Sequence, residues 1–191
     1  MIYETIVTTS DEANNPYVAP FGVREKNDFV VIAPFRPSQT LDNVLHNRSA
    51  VLNLTDDVRI FAGALTGRRS WPMYKAAKVP GFVLDAALAH RELALVEVNE
   101  DVTRPELYFH VVHEENHAPF LGFNRAQAAV VELSVLVSRL HMLPIEKIEA
   151  ELEYLNIAIE KTAGERELEA WSWLVERIEN YKAERDGRNI A

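Results

Sequence analysis

The hydrophobic pattern in the first half of the chain predicts β-strands. Residues 29–33 and 50–54 are short continuous apolar runs, typical of strands buried on both faces. Between them, Leu41, Val44 and Leu45 mark one side of a short amphipathic helix. Four further segments have the composition and turn boundaries of strands; they cover residues 2–9, 17–25, 88–99 and 106–114. Strands in this number, mostly antiparallel, with one helix between two of them, predict a small closed or split barrel.

The pattern becomes helical after Gly122. Asn124 suits the N-cap of a first helix, whose apolar positions cover almost its whole circumference and predict burial. Two amphipathic segments follow, separated by a turn near Gly164, and predict a helical hairpin. We therefore expect a barrel over residues 1–122 and a C-terminal helical region, a helix plus a hairpin, over residues 123–191.

The connection between the two halves of the predicted barrel is long. Residues 58–65 favour one or two helical turns, with Asp56 or Asp57 as a cap. Residues 66–82 are expected to form an irregular loop that concentrates basic and aromatic side chains, namely Arg68, Arg69, Trp71, Tyr74, Lys75 and Lys78. Such a loop either covers a ligand or serves as a solvated connector, and the pattern does not choose between the two.

Composition narrows the functional classes. A net charge of -9 argues against free DNA or RNA as a partner. The sequence has no cysteine, which excludes thiolate chemistry and disulfides, and only 7 glycines, with neither a P-loop nor a GxGxxG motif. The N-terminal residues lack the pattern of a signal peptide, and no stretch is long and apolar enough to span a bilayer. We expect a soluble cytoplasmic protein without membrane or nucleic-acid partners.

The turn that follows the first apolar run is the strongest candidate site. Arg36-Pro37-Ser38-Gln39-Thr40 combines a guanidinium, two hydroxyls and the start of a helix, which together favour an anion and above all a phosphate. The alternative is that Ser38 or Thr40 only caps the helix while Arg36 is a solvated charge. Asn53 lies inside an apolar strand, where its amide bonds either to the backbone or to a ligand.

A second group of polar residues suggests a metal at first sight. His110, His113, His117, Glu114 and Glu115 lie close together in the sequence. On a regular strand, however, positions 110 and 113 face opposite sides, and the HExxH motif is absent. We therefore expect no metal site.

At these residues the chain resembles the FMN-binding split β-barrels, which include flavin reductases and flavoredoxin-like proteins. Within that group it is most similar to domain-of-unknown-function family 447. The segments that carry the resemblance are Glu-Thr-Ile-Val-Thr-Thr at 4–9, Ala-Pro-Phe-Gly at 19–22, Pro-Phe-Arg-Pro-Ser-Gln-Thr at 34–40, Asn-Leu-Thr-Asp-Asp at 53–57 and Phe-Asn-Arg-Ala at 123–126.

The resemblance implies a cofactor and its contacts. Arg36, Ser38 and Thr40 would hold the FMN phosphate, with Pro37 in the same turn and Gln39 offering its backbone N–H. Asn53 would meet the flavin or its ribityl chain. Thr9 and the region from Ala19 to Phe21 would lie near the isoalloxazine ring. Proteins of this kind are usually homodimers with flavin at the subunit interface.

We therefore expect an FMN-binding homodimeric flavoprotein, in which flavin-dependent electron or hydride transfer uses a small-molecule substrate or NAD(P)H. The resemblance does not establish a reaction. One alternative is a non-redox module that binds another phosphorylated small molecule in the same turn. A second is an interaction protein that uses its helical hairpin, with Trp171 and Trp173, as the working surface.

Overall fold

The computed structural model describes residues 1–189, with side chains described as far as residue 185. Six antiparallel strands close into a barrel in the spatial order β1-β2-β3-β8-β7-β4, and β4 pairs back with β1. These strands are β1 (Tyr3–Ser10), β2 (Pro16–Lys26), β3 (Phe29–Ile32), β4 (Ser49–Leu54), β7 (Ala89–Asn99) and β8 (Glu106–Asn116). The barrel and its six strands confirm the prediction from hydrophobic periodicity.

The barrel encloses its own apolar core. Alternate strand positions supply the inward side chains, among them Val7, Leu52 and Phe109, which are almost completely buried. The short helix α1 (Gln39–Asn47) adds Leu41 and Val44 to the same core, as its amphipathic pattern predicted.

Two bulges interrupt the pairing of β7 with β8. Glu92 pairs with His113 and Leu93 with Val111, so Val112 is an extra residue without a partner. In the same way Val96 is extra on β7, because Leu95 pairs with Phe109 and Glu97 with Tyr108. Val96 and Val112 are 45% and 47% exposed. Each bulge reverses the in-and-out alternation along its strand, a change that the sequence pattern did not reveal.

A second compact unit comprises Asp57–Arg68 together with Leu121–Ala191. Its elements are α2 (Arg59–Leu65), α3 (Arg125–Ser138), α4 (Ile145–Thr162) and α5 (Glu165–Asn189). Asn124 caps α3 as predicted, since its Oδ1 accepts from the backbone N–H groups of Ala126 and Gln127. The two segments of this unit share one apolar core, in which Val58 and Ala62 pack with residues of the C-terminal helices.

Residues 57–68 precede the boundary predicted at residue 122, yet they pack with the second unit, because the buried side chains around α2 belong to the helical core. Asp57 fills part of the predicted capping role: its Oδ1 accepts from the N–H of Arg59 at 3.2 Å and from the Nε of the same residue at 2.9 Å.

The expected irregular loop over residues 66–82 is corrected. It contains β5 (Met73–Lys75), which pairs with β6 (Phe82–Leu84) to form a small two-stranded sheet. We call residues 69–88 the strap. Over residues 1–189, no helix is long and apolar enough to cross a membrane.

Candidate functional site

The predicted phosphate turn lies between β3 and α1. Ser38 is the N-cap of α1, and its Oγ accepts from the N–H of Leu41 at 3.1 Å. This confirms the capping role that the sequence suggested for Ser38. The backbone N–H groups of Gln39 and Thr40 belong to the first turn, where the helix itself provides no acceptor. The helix start therefore presents N–H donors and the positive end of its dipole to the same side.

Arg36 is not simply a solvated charge. Its Nη2 lies 2.6 Å from Glu100 Oε2, and its Nε donates to the carbonyl oxygen of Asp101 at 3.3 Å. The N–H of Arg36 also donates to the carbonyl oxygen of Thr103 at 2.8 Å. The loop between β7 and β8 thus positions the guanidinium, although the side chain remains partly exposed. Sequence reasoning did not identify this partner because it lies far away along the chain.

A polar chain connects α1 to β1. The Gln39 amide donates to Asn43 Oδ1 at 2.7 Å, and the Asn43 amide donates to Thr9 Oγ1 at 3.0 Å. Thr9, Thr40 and Asn43 are all buried. These bonds fix the start of α1 to the end of β1, so the turn has a rigid support. The structure therefore brings Thr9 and the α1 turn together.

The other predicted ring contacts lie on β2. Ala19 pairs with Val7 and Phe21 with Thr5, so both share a sheet face with Thr9. Ala19 and Phe21 are half-buried, and Pro37 in the turn is exposed. This face is the one that Val7 turns toward the barrel core, and Phe21 packs against that core.

Asn53 does not belong to this group. It is 0% exposed, and its amide nitrogen donates to Thr8 Oγ1 at 3.1 Å while its Oδ1 accepts from the N–H of Leu84 at 2.9 Å. Of the two roles that the sequence left open, the structure supports bonding within the protein. The flavin contact at Asn53 stays a prediction, and in this structure the side chain is fully buried.

Asn53 is instead one of a row of polar side chains that hold the strap. Ser49 donates to the carbonyl oxygen of Pro80 at 2.7 Å, and Thr55 donates to that of Ala86 at 2.7 Å. The Thr8 hydroxyl donates to the carbonyl oxygen of Phe82. Positions 49, 53 and 55 lie on one face of the chain, with the apolar Val51 between the first two, so the local sequence carried only a weak signal for this row. These bonds hold the strap against β1 and β4 of the barrel.

Glu92 is the strongest member of the row. It is 0% exposed, and its two oxygens accept from the N–H groups of Ala77, Lys78 and Val79 at 2.7, 2.6 and 2.9 Å. Burial by itself raises the pKa of this carboxyl, but the three N–H donors outweigh it and hold the pKa below the ordinary value. The carboxylate is therefore charged at neutral pH and binds the strap as an anion.

The basic residues of the predicted loop do not form one cluster. The Arg69 guanidinium lies over the ring of Tyr17 at 4.9 Å, within the barrel unit. Arg68 belongs to the helical unit, where it lies over the ring of Trp173 at 4.5 Å. Lys75 and Lys78 are exposed.

A cavity of about 350 Å³ lies beside α1, but its lining does not suit an anion. Asp11, Glu12 and Asp42 contribute to it, together with Gln39 and His46. Three carboxylates would repel a phosphate. An anion at this helix is therefore expected on the side of Arg36.

The histidines are arranged differently from the sequence expectation. Positions 110 and 113 face the same side of the sheet and not opposite sides as predicted, because the extra residue Val112 lies between them. His90 on β7 was overlooked; it pairs with Glu115 and lies 2.8 Å from His117, Nδ1 to Nε2. Burial is the main cause that lowers the pKa of the His90 imidazole.

Among solved structures, three proteins illustrate the fold of this chain. An FMN-bound protein from Methanosarcina mazei, which is assigned to the DUF447 family, is 21% identical, with a TM-score of 0.81 over 92% of this chain and 94% of that one. A flavoredoxin from Methanosarcina acetivorans is 10% identical, with a TM-score of 0.53 over 63% and 72%. A 2-nitrobenzoate 2-nitroreductase from Pseudomonas fluorescens is 16% identical, with a TM-score of 0.51 over 60% and 64%. The barrel fold is shared with all three.

The family comparison covers most of the sequence. The N-terminal domain described as "protein of unknown function (DUF447)" matches residues 3–118, and a second DUF447 segment matches residues 124–176. These segments contain the turn, the barrel and most of the C-terminal helices. The chain therefore belongs to the DUF447 family.

Proposed function

We propose that this protein is an FMN-binding flavoprotein and that the cofactor phosphate binds at the start of α1. The observation that carries the proposal is the convergence of three donor types at one turn. The N–H groups of Gln39 and Thr40 have no acceptor within the helix, Ser38 caps it, and the guanidinium of Arg36 lies in the same turn. The family relationship to an FMN-bound protein adds support.

The donor chemistry fits a phosphate. The Ser38 oxygen accepts from the Leu41 N–H, which leaves its O–H proton available for an oxygen of the ligand. Pro37 has no N–H and contributes shape only. The protein carries a net charge of -9, so attraction of the anion is local and depends on these few groups.

The ion pair of Arg36 with Glu100 is part of the site. The carboxylate holds the guanidinium near the turn but also competes with a phosphate for it. Glu100 is largely exposed, so this competition is weakened by solvent. Arg36 therefore needs only a small rearrangement to share its donors with an incoming anion.

The reaction follows from the cofactor. Bound FMN supplies electron or hydride transfer, while the protein binds and orients it. Thr9 fixes the support beneath the turn through Asn43. We propose an oxidoreductase role, with NADH or NADPH as the first electron donors to test.

We also propose that the protein works as a homodimer. Val96, Val111 and Val112 are exposed apolar side chains on β7 and β8, around the two bulges. Light scattering during gel filtration, at two protein concentrations, tests the proposal. The expected mass is twice the 21.7 kDa of the chain, and a monomer at both concentrations would overturn it.

FMN binding is tested by absorbance and fluorescence titration of the purified protein. We expect flavin absorbance to be retained after desalting and Arg36→Ala to weaken binding by about 1–3 kcal/mol, roughly 5- to 150-fold. Arg24→Ala is the matched control, because Arg24 also pairs with a glutamate, Glu106, at 2.5 Å but lies outside the turn. Glu100→Gln should strengthen binding by about two- to fivefold, since it removes the competing carboxylate.

The outcomes separate cofactor binding from chemistry. Retained flavin with NADH or NADPH oxidation supports the full proposal, whereas retained flavin without oxidation limits it to binding. An absence of quenching at any FMN concentration tested would contradict it. Equal losses for Arg36→Ala and Arg24→Ala would remove the turn as the binding site.

A further inference from the structure

The adjacent ends of β7 and β8 bring four ligand-type side chains to one place. His90 pairs with Glu115, and Glu92 pairs with His113, so the four residues lie side by side on one face of the sheet. One ring nitrogen of His90, one of His113 and one oxygen of Glu115 all lie within 4.8 Å of one another. Neither the proposed cofactor turn nor the fold requires this grouping.

One ring nitrogen of His90 is hydrogen-bonded, and the other has no hydrogen-bond partner. Its Nδ1 lies 2.8 Å from His117 Nε2, and the Tyr74 hydroxyl lies 3.2 Å from the same His117 nitrogen. A phenol is normally the donor, so we assign His117 Nε2 as the acceptor of both bonds. The proton of His90 then resides on Nδ1, and its Nε2 carries a lone pair.

That lone pair faces negative charge. His90 is 1% exposed, and within the described residues its Nε2 is the one buried side-chain nitrogen or oxygen without a hydrogen-bond partner. The Glu92 oxygen Oε1 lies 3.6 Å from this nitrogen, which is too far for a hydrogen bond. Two acceptors that face each other in a buried site are unfavourable, and a cation would relieve the repulsion.

We propose that His90, His113 and Glu115 bind a first-row divalent cation of the zinc type. Two imidazoles and one carboxylate, without a thiolate, form a donor set that suits Zn²⁺ and its neighbours better than Mg²⁺ or Ca²⁺, which prefer oxygen ligands. The hydrogen bond from His90 Nδ1 to His117 supplies the outer-shell support that metal-bound histidines usually have. Three protein ligands leave a position for water or a substrate.

The three ligand atoms must move slightly closer together to bind one ion. Ligands about 2.0–2.2 Å from one ion lie roughly 3.3–4.4 Å apart, depending on the geometry. His113 Nε2 and Glu115 Oε2 are already 3.7 Å apart. Both side chains are partly exposed, whereas the buried His90 is fixed by its neighbours, so the movement would come from His113 and Glu115.

This site is separate from the proposed flavin turn. The loop that holds Arg36 immediately precedes β8, whereas Glu115 lies near the end of that strand. At about 3.3 Å per residue the strand places them roughly 30 Å apart. The metal proposal therefore does not depend on flavin binding.

The test is a Co²⁺ titration of the full-length, tag-free protein after dialysis against EDTA, followed by visible absorbance and by calorimetry with Zn²⁺. We expect one ion per chain and the appearance of visible ligand-field bands that saturate at that ratio. His113→Gln and Glu115→Gln should each weaken binding by about tenfold or more. The matched controls His110→Gln and Glu114→Gln, on the same strand but outside the group, should bind as the parent protein does.

Two results would overturn the proposal: no saturable Co²⁺ spectrum, or losses in the control variants equal to those in His113→Gln and Glu115→Gln. Circular dichroism of each variant checks that the fold is intact. If His113→Gln does not fold, Glu115→Gln decides, because the Glu115 side chain is mostly exposed. FMN affinity should be unchanged in both test variants.

Discussion

The substitution Glu92→Gln tests how the strap is held to the barrel. The change keeps the volume of the side chain but replaces one acceptor oxygen with an NH₂ donor. In the parent protein, Oε1 accepts from Ala77, and Oε2 accepts from both Lys78 and Val79. The best glutamine rotamer keeps its oxygen at the Oε2 position, which leaves the NH₂ group facing the N–H of Ala77.

The expected cost follows from these three bonds. One charge-assisted bond is lost, at about 1.5–3 kcal/mol, and two become neutral and weaker by about 1 kcal/mol each. A neutral glutamine is easier to bury than a carboxylate, and its NH₂ group at the Oε1 position would face the unpartnered His90 Nε2, so both effects offset part of the loss. We expect a net destabilisation of about 2–3 kcal/mol, or roughly 4–12 °C in Tm for a chain of this size.

Thermal and urea unfolding of Glu92→Gln measure the effect, and Glu97→Gln, an exposed glutamate of the same strand, is the control. Hydrogen exchange adds a local readout, since the amides of Ala77, Lys78 and Val79 should lose protection in the variant. A Tm within about 1 °C of the parent value, with those amides still protected, would refute the reasoning that Glu92 anchors the strap.

Three further predictions concern single side chains. Asn53→Asp should destabilise the barrel by more than about 2 kcal/mol, because a carboxylate would face the acceptor oxygens to which the amide now donates. Urea unfolding measures the effect, with Asn99→Asp at an exposed position as the control. Ser38→Asp should preserve stability, since aspartate is also a good N-cap, yet weaken FMN binding about tenfold or more through repulsion of the phosphate; unchanged affinity would contradict the assignment. The hydrogen bond from Tyr108 and the ion pair with Arg24 lower the pKa of the Glu106 carboxyl. The stability that Glu106 contributes is therefore present above its unfolded-state pKa and is lost as the pH falls. Between about pH 5 and 3, the unfolding free energy of Glu106→Gln should change less steeply with pH than that of the parent protein.

The elements were predictable from the sequence because their signals are local. The apolar runs that became β3 and β4, the amphipathic face of α1 and the cap at Asn124 each depend on neighbouring residues alone. The strap was less predictable. Its strands, β5 and β6, have three residues each, and the bonds that hold it come from side chains on β1, β4 and β7.

The local part of the candidate site was predictable for the same reason, but its long-range partners were not. The hydroxyl and helix-start features of the turn are encoded within a few residues, whereas the ion pair of Arg36 with Glu100 spans 64 positions. The sequence left the partner of Asn53 open, because an amide in an apolar strand looks the same whether it bonds a ligand or a backbone group. The relation of His113 to His90 depends on the extra residue Val112, and a strict two-residue period cannot anticipate a bulge.

The position of α2 in the chain has a consequence for synthesis. This helix leaves the ribosome shortly after β4, but its packing partners begin at Ala126, about 60 residues later. At roughly 5–20 residues per second, the apolar side of α2 waits about 3–12 s before α3 emerges, and longer for α5. During that interval the nascent chain exposes Val58 and Ala62 to chaperones. The same dependence means that a fragment ending at residue 122 would keep α2 without the helices that cover it.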